Sequence, residues 1–360
     1  MSSNTRPAAA AASLETKETD VRHDAAPDDN NSDNGSDMGG LFEDPPDYYP
    51  PSPPPTTEQH ALGRSGVQLT LHLVGHSVLE AHRLWNGSRV MADYFEDEAS
   101  QGRYLIRDKT VLELGAGAGL PGIVCGLVLG ARKAVVTDYP DPDLVATIDK
   151  NIRECERAAQ AAIDSNAKKG ETTSPELLSY RPGTIVADGY IWGGAPEPML
   201  AHLGPEAEGE RYDVVLLADL LFRHAEHAKL AFSVRETLKR EPASRAYVFF
   251  TSYRPWLRHK DLAFFGHACD AGLVVEHLHE KKLEKPPLFF EDDPGDVSVR
   301  STVSGYSLRW PQPVSSEAGA EPKLEDPKDF WPPPGGIEGA VESDADAKWS
   351  KRAPPPSTQS

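Results

Sequence analysis

The chain has 360 residues, 32 of them proline, three cysteines and a formal net charge of −19. It carries no basic stripe of the kind that binds nucleic acid, and no apolar run near the roughly 20 residues of a membrane span. Cys125, Cys155 and Cys269 fit no zinc spacing, so neither nucleic acid, membrane nor metal is an expected partner.

Residues 1–60 hold twelve acidic residues against three Lys/Arg, and residues 311–360 hold nine against five, with the tracts DPPDYYPPSPPP, WPPPGG and APPPS. Such composition cannot bury enough apolar surface to offset chain entropy, so both ends are predicted to be disordered. The stretch between them is long enough for one α/β domain. VQLTLHLV (67–74) alternates apolar and polar residues and predicts a half-buried strand in a small hairpin outside the main sheet. Residues 82–95 have helical spacing. VLEL (111–114) reads as a buried parallel strand, followed by Gly115, Gly117 and Gly119 and then the helix-like LPGIVCGLVLGA. AVVTD forms a second strand that ends in Asp138. Strands near 184–187, 213–218 and 246–252 alternate with helices near 119–130, 143–160, 226–240 and 258–271, which implies a parallel, doubly wound sheet. Residues 155–183 are long for one connection and predict a helical extension followed by an exposed insertion. GLVVEHLHE (272–280) and STVSGYSLRW (301–310) have no convincing helix between them, so they pair antiparallel. A mostly parallel seven-stranded sheet closed by a C-terminal antiparallel hairpin is the class I methyltransferase arrangement, a Rossmann-like α/β fold. NAD-binding domains lack that ending.

In such a sheet ligands bind beyond the carboxyl ends of the strands. The glycine loop departs from the dinucleotide pattern, because Leu120 stands where its third glycine belongs. The strand before it also carries Glu113, a buried acid that needs loop amides or a cation such as the ammonium group of a methionine moiety. These features favour S-adenosylmethionine over NAD. Gly115, Ala116 and Gly117 would approach the cofactor with their backbone, and Asp138 would take both ribose hydroxyls. Asp188 is either a partner for the adenine amino group or a turn residue, and Trp192 either stacks on adenine or packs in a loop. Trp85 either lines the pocket or staples the N-terminal helix to the sheet. Ala218 and Asp219 end the fourth strand at the switch point. There Asp219 would hold the incoming amine, or else cap the following helix. Asp141 and Asp143 read as turn and cap residues, and His224 and His227 as a solvated pair. Three other functions compete with a protein methyltransferase: a small-molecule N-methyltransferase, a NAD oxidoreductase, and a non-catalytic module docking through its proline tracts.

The set LFEDPPDYYPP (41–51), LHLVGHSVLEAHRLWNGSRV (71–90), VLELGAGAGLPGIVCGLVLGARKAVVTDYPDPDLV (111–145), ADLLF (218–222) and FFEDDPGDVSVRSTVSGYSLRW (289–310) resembles a known family. It is the fungal protein N-terminal and lysine N-methyltransferases of translation elongation factor 1-alpha, formerly named nicotinamide N-methyltransferase-like. The LFEDP and TDYPDPDL runs carry the resemblance, which spans about residues 41–310. It implies a seven-strand methyltransferase using S-adenosylmethionine in the cytoplasm, acting on the elongation factor's N-terminal glycine and adjacent lysine. It implies cofactor contacts at Trp85, Gly115 to Gly117, Asp138, Trp192 and Ala218. Relatives outside the fungal group often have an aromatic hydroxyl where Phe222 stands, so Phe222 is assigned no chemistry. The domain boundary moves back to residue 41, with LFEDP expected to fold over the site as a lid and only residues 1–40 left as the first tail.

Overall fold

The computed structural model describes residues 53–75, 77, 79–173, 177, 180–205, 209–284, 295–314 and 323–333. The LFEDP segment and most of both tails lie outside these residues.

The fold begins with an antiparallel hairpin, β1 (Thr56–Ala61) against β2 (Gln68–Leu73), separate from the main sheet as expected. β2 buries Leu69, Leu71 and Leu73 on one face, the alternation its sequence predicts. β1 lies in polar chain, with five of its six residues exposed, and carries no strand pattern of its own. Helix α1 (Asn86–Ser100) follows. Then strands and helices alternate: β3 (Thr110–Leu114), α2 (Leu120–Leu127), β4 (Lys133–Asp138), α3 (Pro142–Lys169), β5 (Ile185–Gly189), α4 (Glu197–Ala201), β6 (Val214–Ala218), α5 (His227–Thr237), β7 (Arg245–Thr251) and α6 (Arg258–Asp270). The chain closes its sheet with β8 (Val274–Lys282), a short helix α7 (Val297–Arg300) and β9 (Thr302–Arg309).

The seven strands run in the order β5-β4-β3-β6-β7-β9-β8. The first five are parallel, and β9 runs antiparallel between β7 and β8. This is the expected doubly wound sheet with a terminal antiparallel hairpin. The strand order reverses between β3 and β6, and that switch point is where ligands bind. β3 and β6 are buried at every position because helices cover both faces, which is why both read as continuous apolar runs. Val111 and Leu112, neighbours in β3, belong to separate buried clusters, one on each face of the sheet.

Local signals set the element ends near the site. Asp141 caps α3, accepting from the amides of Asp143 at 2.9 Å and Leu144 at 3.0 Å, with Pro142 at the first helical position. The helix runs to Lys169 and stops at Gly170, which has left-handed backbone, so residues 155–169 of the segment 155–183 continue α3.

Most of the predicted tail after residue 310 lies outside the described residues, and the parts that are described, 311–314 and 323–333, form a strap. Its two short strands, β10 (Pro313–Val314) and β11 (Lys323–Leu324), pair with each other, and a helical turn at Pro327–Asp329 follows. Trp331 lies 4.7 Å from the ring of Phe265 and 5.9 Å from that of Tyr306. Arg309 pairs with Glu276 on one side and Glu325 on the other. A few anchors hold this proline-rich stretch, and composition averages them away.

Candidate active site

The glycine loop and the ends of β4 and β6 open onto a cavity of about 280 Å³. Seven of the eight expected cofactor residues line it: Trp85, Gly115, Ala116, Gly117, Asp138, Trp192 and Ala218. Asp219 lines it as well. The loop itself turns through three glycines with positive φ. At Gly115 the requirement is doubled. Its φ is +60°, and an added Cβ would lie 2.6 Å from Leu220 Cδ2 and 2.8 Å from Trp192 Cζ2. A side chain there would close the cavity against its own wall.

Asp138 fastens this loop to the sheet. Its Oδ2 accepts from the Gly117 amide and its Oδ1 from the Tyr139 amide, each at 2.7 Å. Burial pushes its carboxyl up, and the two amides hold it down in part. Each oxygen keeps a second lone pair, enough for two ribose hydroxyls.

Glu113, expected to meet the cofactor, does not line the cavity. It lies under α2, where its Oε2 accepts from the Gly122 amide at 2.8 Å and its Oε1 has no partner among the described residues. Burial drives its carboxyl up to about 8, so it is mostly neutral near pH 7. Gly122 makes this possible, because a Cβ there would sit 2.7 Å from Oε2. The acid thus seats the helix that follows the loop.

Asp188 is also turned elsewhere, toward His202 Nε2 at 2.6 Å and the Gly189 amide at 2.7 Å. His224 and His227 are not a solvated pair. His227 is buried and donates from Nε2 to the Leu221 carbonyl oxygen at 2.7 Å, while His224 Nε2 lies 2.7 Å from Asp261 Oδ1.

Asp219 has φ +55°, a left-handed conformation that costs a non-glycine residue about 1–2 kcal/mol. Its backbone amide donates to the Phe249 carbonyl at 2.8 Å, which ties the bend to β7. The carboxyl accepts from the Gly87 amide in the first turn of α1, from the Thr251 amide at 2.7 Å and from the Tyr253 hydroxyl at 3.3 Å. Burial pushes it up to about 7, against the pull of those donors. It caps α1 from a distant part of the chain, not the helix that follows it. Three of its four lone-pair positions are therefore committed to the protein.

Trp85, the residue just before α1, combines both roles expected of it. Its indole Nε1 donates to the Glu80 carbonyl at 2.9 Å, and its ring lies 4.9 Å from that of Tyr253. Tyr253 also accepts from the Asn86 amide at 3.2 Å. Sequence position puts Tyr253 just past the end of β7 but assigns it no role, since its link to α1 is tertiary.

A second cavity of about 290 Å³ adjoins the first and shares Glu80, Trp85, Asp219, Phe222 and Arg223 with it. Leu221, Phe250, Thr251, Tyr253, Arg254 and Asp261 complete its lining. One cavity has a glycine cradle, a loop-anchoring carboxylate and two indoles. The other is aromatic, with three carboxylates and two arginines, and they meet at the switch point.

Residues 68–187 match a family described as lysine methyltransferase. A protein N-terminal and lysine N-methyltransferase of Neurospora crassa is 53% identical over 273 residues, spanning 76% of this chain and 88% of that one. The chain belongs to this methyltransferase family. Relatives of the same description from Gibberella zeae (47% over 256 residues, 71% and 88% of the two chains) and Schizosaccharomyces pombe (38% over 247, 69% and 84%) are similar over the same core. Among solved structures, a precorrin-6y C5,15-methyltransferase from Geobacter metallireducens is similar at a TM-score of 0.33 and 12% identity, over 60% of this chain and 87% of that one.

The protein is an N-methyltransferase, and family and fold imply S-adenosylmethionine as the donor. The first cavity fits that group on its own chemistry. It offers a backbone cradle that a Cβ would fill, a carboxylate with two spare lone pairs, and indole rings from Trp85 and Trp192 suited to an adenine face or a sulfonium cation. Among the described residues no helix is long and apolar enough to cross a membrane.

Proposed function

We propose that this enzyme methylates the N-terminal glycine and the adjacent lysine of translation elongation factor 1-alpha, in the cytoplasm. The observation that carries the reading is the pair of adjoining cavities, one suited to the methyl donor and the other lined by aromatic rings, three carboxylates and two arginines, with room for an incoming amine. The relatives' description as protein N-terminal and lysine N-methyltransferases supports a protein amine. The elongation factor itself rests on the resemblance in the LFEDP and TDYPDPDL runs.

When bound, S-adenosylmethionine supplies an electrophilic methyl group on a sulfonium. This chain's residues contribute position and environment. Asp138 and the glycine loop fix the nucleoside end. Trp85 and Trp192 wall the site from water and favour cationic groups. Asp219 positions Trp85 by holding the start of α1. Its carboxyl, pushed up to about 7, also places a titratable negative charge where an ammonium product forms. The amine must be neutral to attack, and alignment within such a pocket supplies most of the rate.

The test is mass spectrometry of the elongation factor's N-terminal peptide from cells with and without this protein, joined to methyl transfer from labelled donor in vitro. Loss of methylation in the deleted cells and transfer to the purified factor are expected. Unchanged methylation, or transfer to nicotinamide but not to the factor, would refute the assignment and favour a small-molecule acceptor.

A further inference from the structure

The second cavity has a carboxylate, Asp261, that the first does not share. Asp261 stands in the first turn of α6 and is only 5% exposed. Its Oδ1 lies 2.7 Å from His224 Nε2, and among the described residues its Oδ2 takes no hydrogen bond. That oxygen is not fully buried and Asp261 lines the cavity, so it is open to a cation or donor that enters there. About 290 Å³ of space adjoins it. Phe222, Phe250, Tyr253 and Trp85 form the apolar part of the lining. Arg223 and Arg254 also line the cavity but are more exposed than Asp261, and Arg254 Nη2 points to the Phe222 carbonyl oxygen at 3.5 Å. An aromatic sleeve leading to a buried carboxylate complements a long methylene stem that ends in an ammonium.

We propose that this cavity is a lysine pocket: it holds the side chain of the substrate's second residue, with Asp261 taking the ammonium, while the N-terminal α-amine lies at the shared wall of Trp85 and Asp219. The inference rests on the proposed N-terminal Gly-Lys substrate and specifies how that substrate is read. Asp261 lies close enough to raise the carboxyl of Asp219, consistent with two amines of one dipeptide being served by the two acids. His224 acts by orienting the carboxylate. Lysine must leave Asp261 to receive a methyl group itself, so the pocket favours the α-amine as the first acceptor.

The experiment compares two peptides that begin Gly-Lys and Gly-norleucine, assayed for methyl transfer with wild type, Asp261→Asn and His224→Gln. Wild type is expected to prefer Gly-Lys by about tenfold in kcat/KM. Asp261→Asn is expected to raise KM for Gly-Lys about tenfold and to change kcat/KM for Gly-norleucine much less, so that the preference between the two peptides is lost. His224→Gln, which keeps a donor for Asp261, is expected to retain most of the preference. Equal kcat/KM for the two peptides with wild type overturns the proposal even where Asp261→Asn fails to fold. So does an equal loss on both peptides in that variant. Transfer to neither peptide by wild type refutes the parent reading of an N-terminal substrate, which separates the two failures.

Discussion

Replacing Asp219 with alanine should destabilise the protein by an amount that shrinks as pH rises. The substitution leaves the Gly87 and Thr251 amides buried without their acceptor, at about 1–3 kcal/mol each. Against this stands the cost of the carboxyl itself, raised from 3.8 to about 7 by burial. The folded state keeps a proton that the unfolded state has already lost. Wild-type stability from this group is therefore full below the unfolded value and falls as pH rises through the folded one. From about pH 5.5 to about pH 8 the linkage relation gives a loss of about 2 kcal/mol, which the alanine variant does not share. Urea unfolding of both proteins, followed by circular dichroism across that range, measures the difference, in which groups common to both cancel. The penalty should be about 2–4 kcal/mol near pH 5.5 and about 2 kcal/mol smaller near pH 8. A penalty independent of pH would place the carboxyl at an ordinary value, and one growing with pH would mean that its donors outweigh burial. Either result refutes the account of Asp219.

Three further outcomes test the site and the strap. Asp138→Ala should weaken S-adenosylmethionine binding about 10–100-fold by calorimetry, the worth of one or two hydrogen bonds to a charged group; an unchanged affinity would take the ribose away from this carboxylate. Gly115→Ala should cost about 1–3 kcal/mol in denaturant unfolding and lower donor affinity at least about tenfold, because its Cβ presses on Leu220 and Trp192; wild-type affinity would disprove the cradle. Trp331→Ala should cost about 1–3 kcal/mol through its contacts with Phe265 and Tyr306 while leaving donor affinity within twofold, and unaltered stability would show the strap to be only loosely held.

Features recorded in local pattern are legible from sequence. The apolar runs of β3 and β6, the glycines at 115, 117 and 119, and the strand-final Asp138 each follow from a few adjacent residues, and together they place the donor cavity. Glu113 is legible as buried and in need of a donor, but its donor is the Gly122 amide, and only helix packing decides that. His227 misleads for the same reason, satisfied by the Leu221 carbonyl rather than by solvent, while Asp188, read as either an adenine partner or a turn residue, pairs with His202 and the Gly189 amide. The second cavity is legible only at its shared wall, through Trp85 and Asp219. Glu80, Tyr253 and Asp261 lie far apart in the chain, and no spacing rule joins them. β1 escapes because an exposed hairpin strand needs no apolar alternation, and its pairing with β2 comes from backbone alone.

The position of β9 bears on how the chain can be made. The last strand of the sheet is not an edge but lies between β7 and β8, with a hydrogen-bonded neighbour on each side. During synthesis β7 stays open on one side until residue 309 has cleared the ribosome, and β8 has no partner in the sheet until then. Open strand edges pair readily with other chains. A nascent or C-terminally truncated chain ending before β9 would therefore carry its donor loop intact and still be a substrate for chaperones rather than an enzyme.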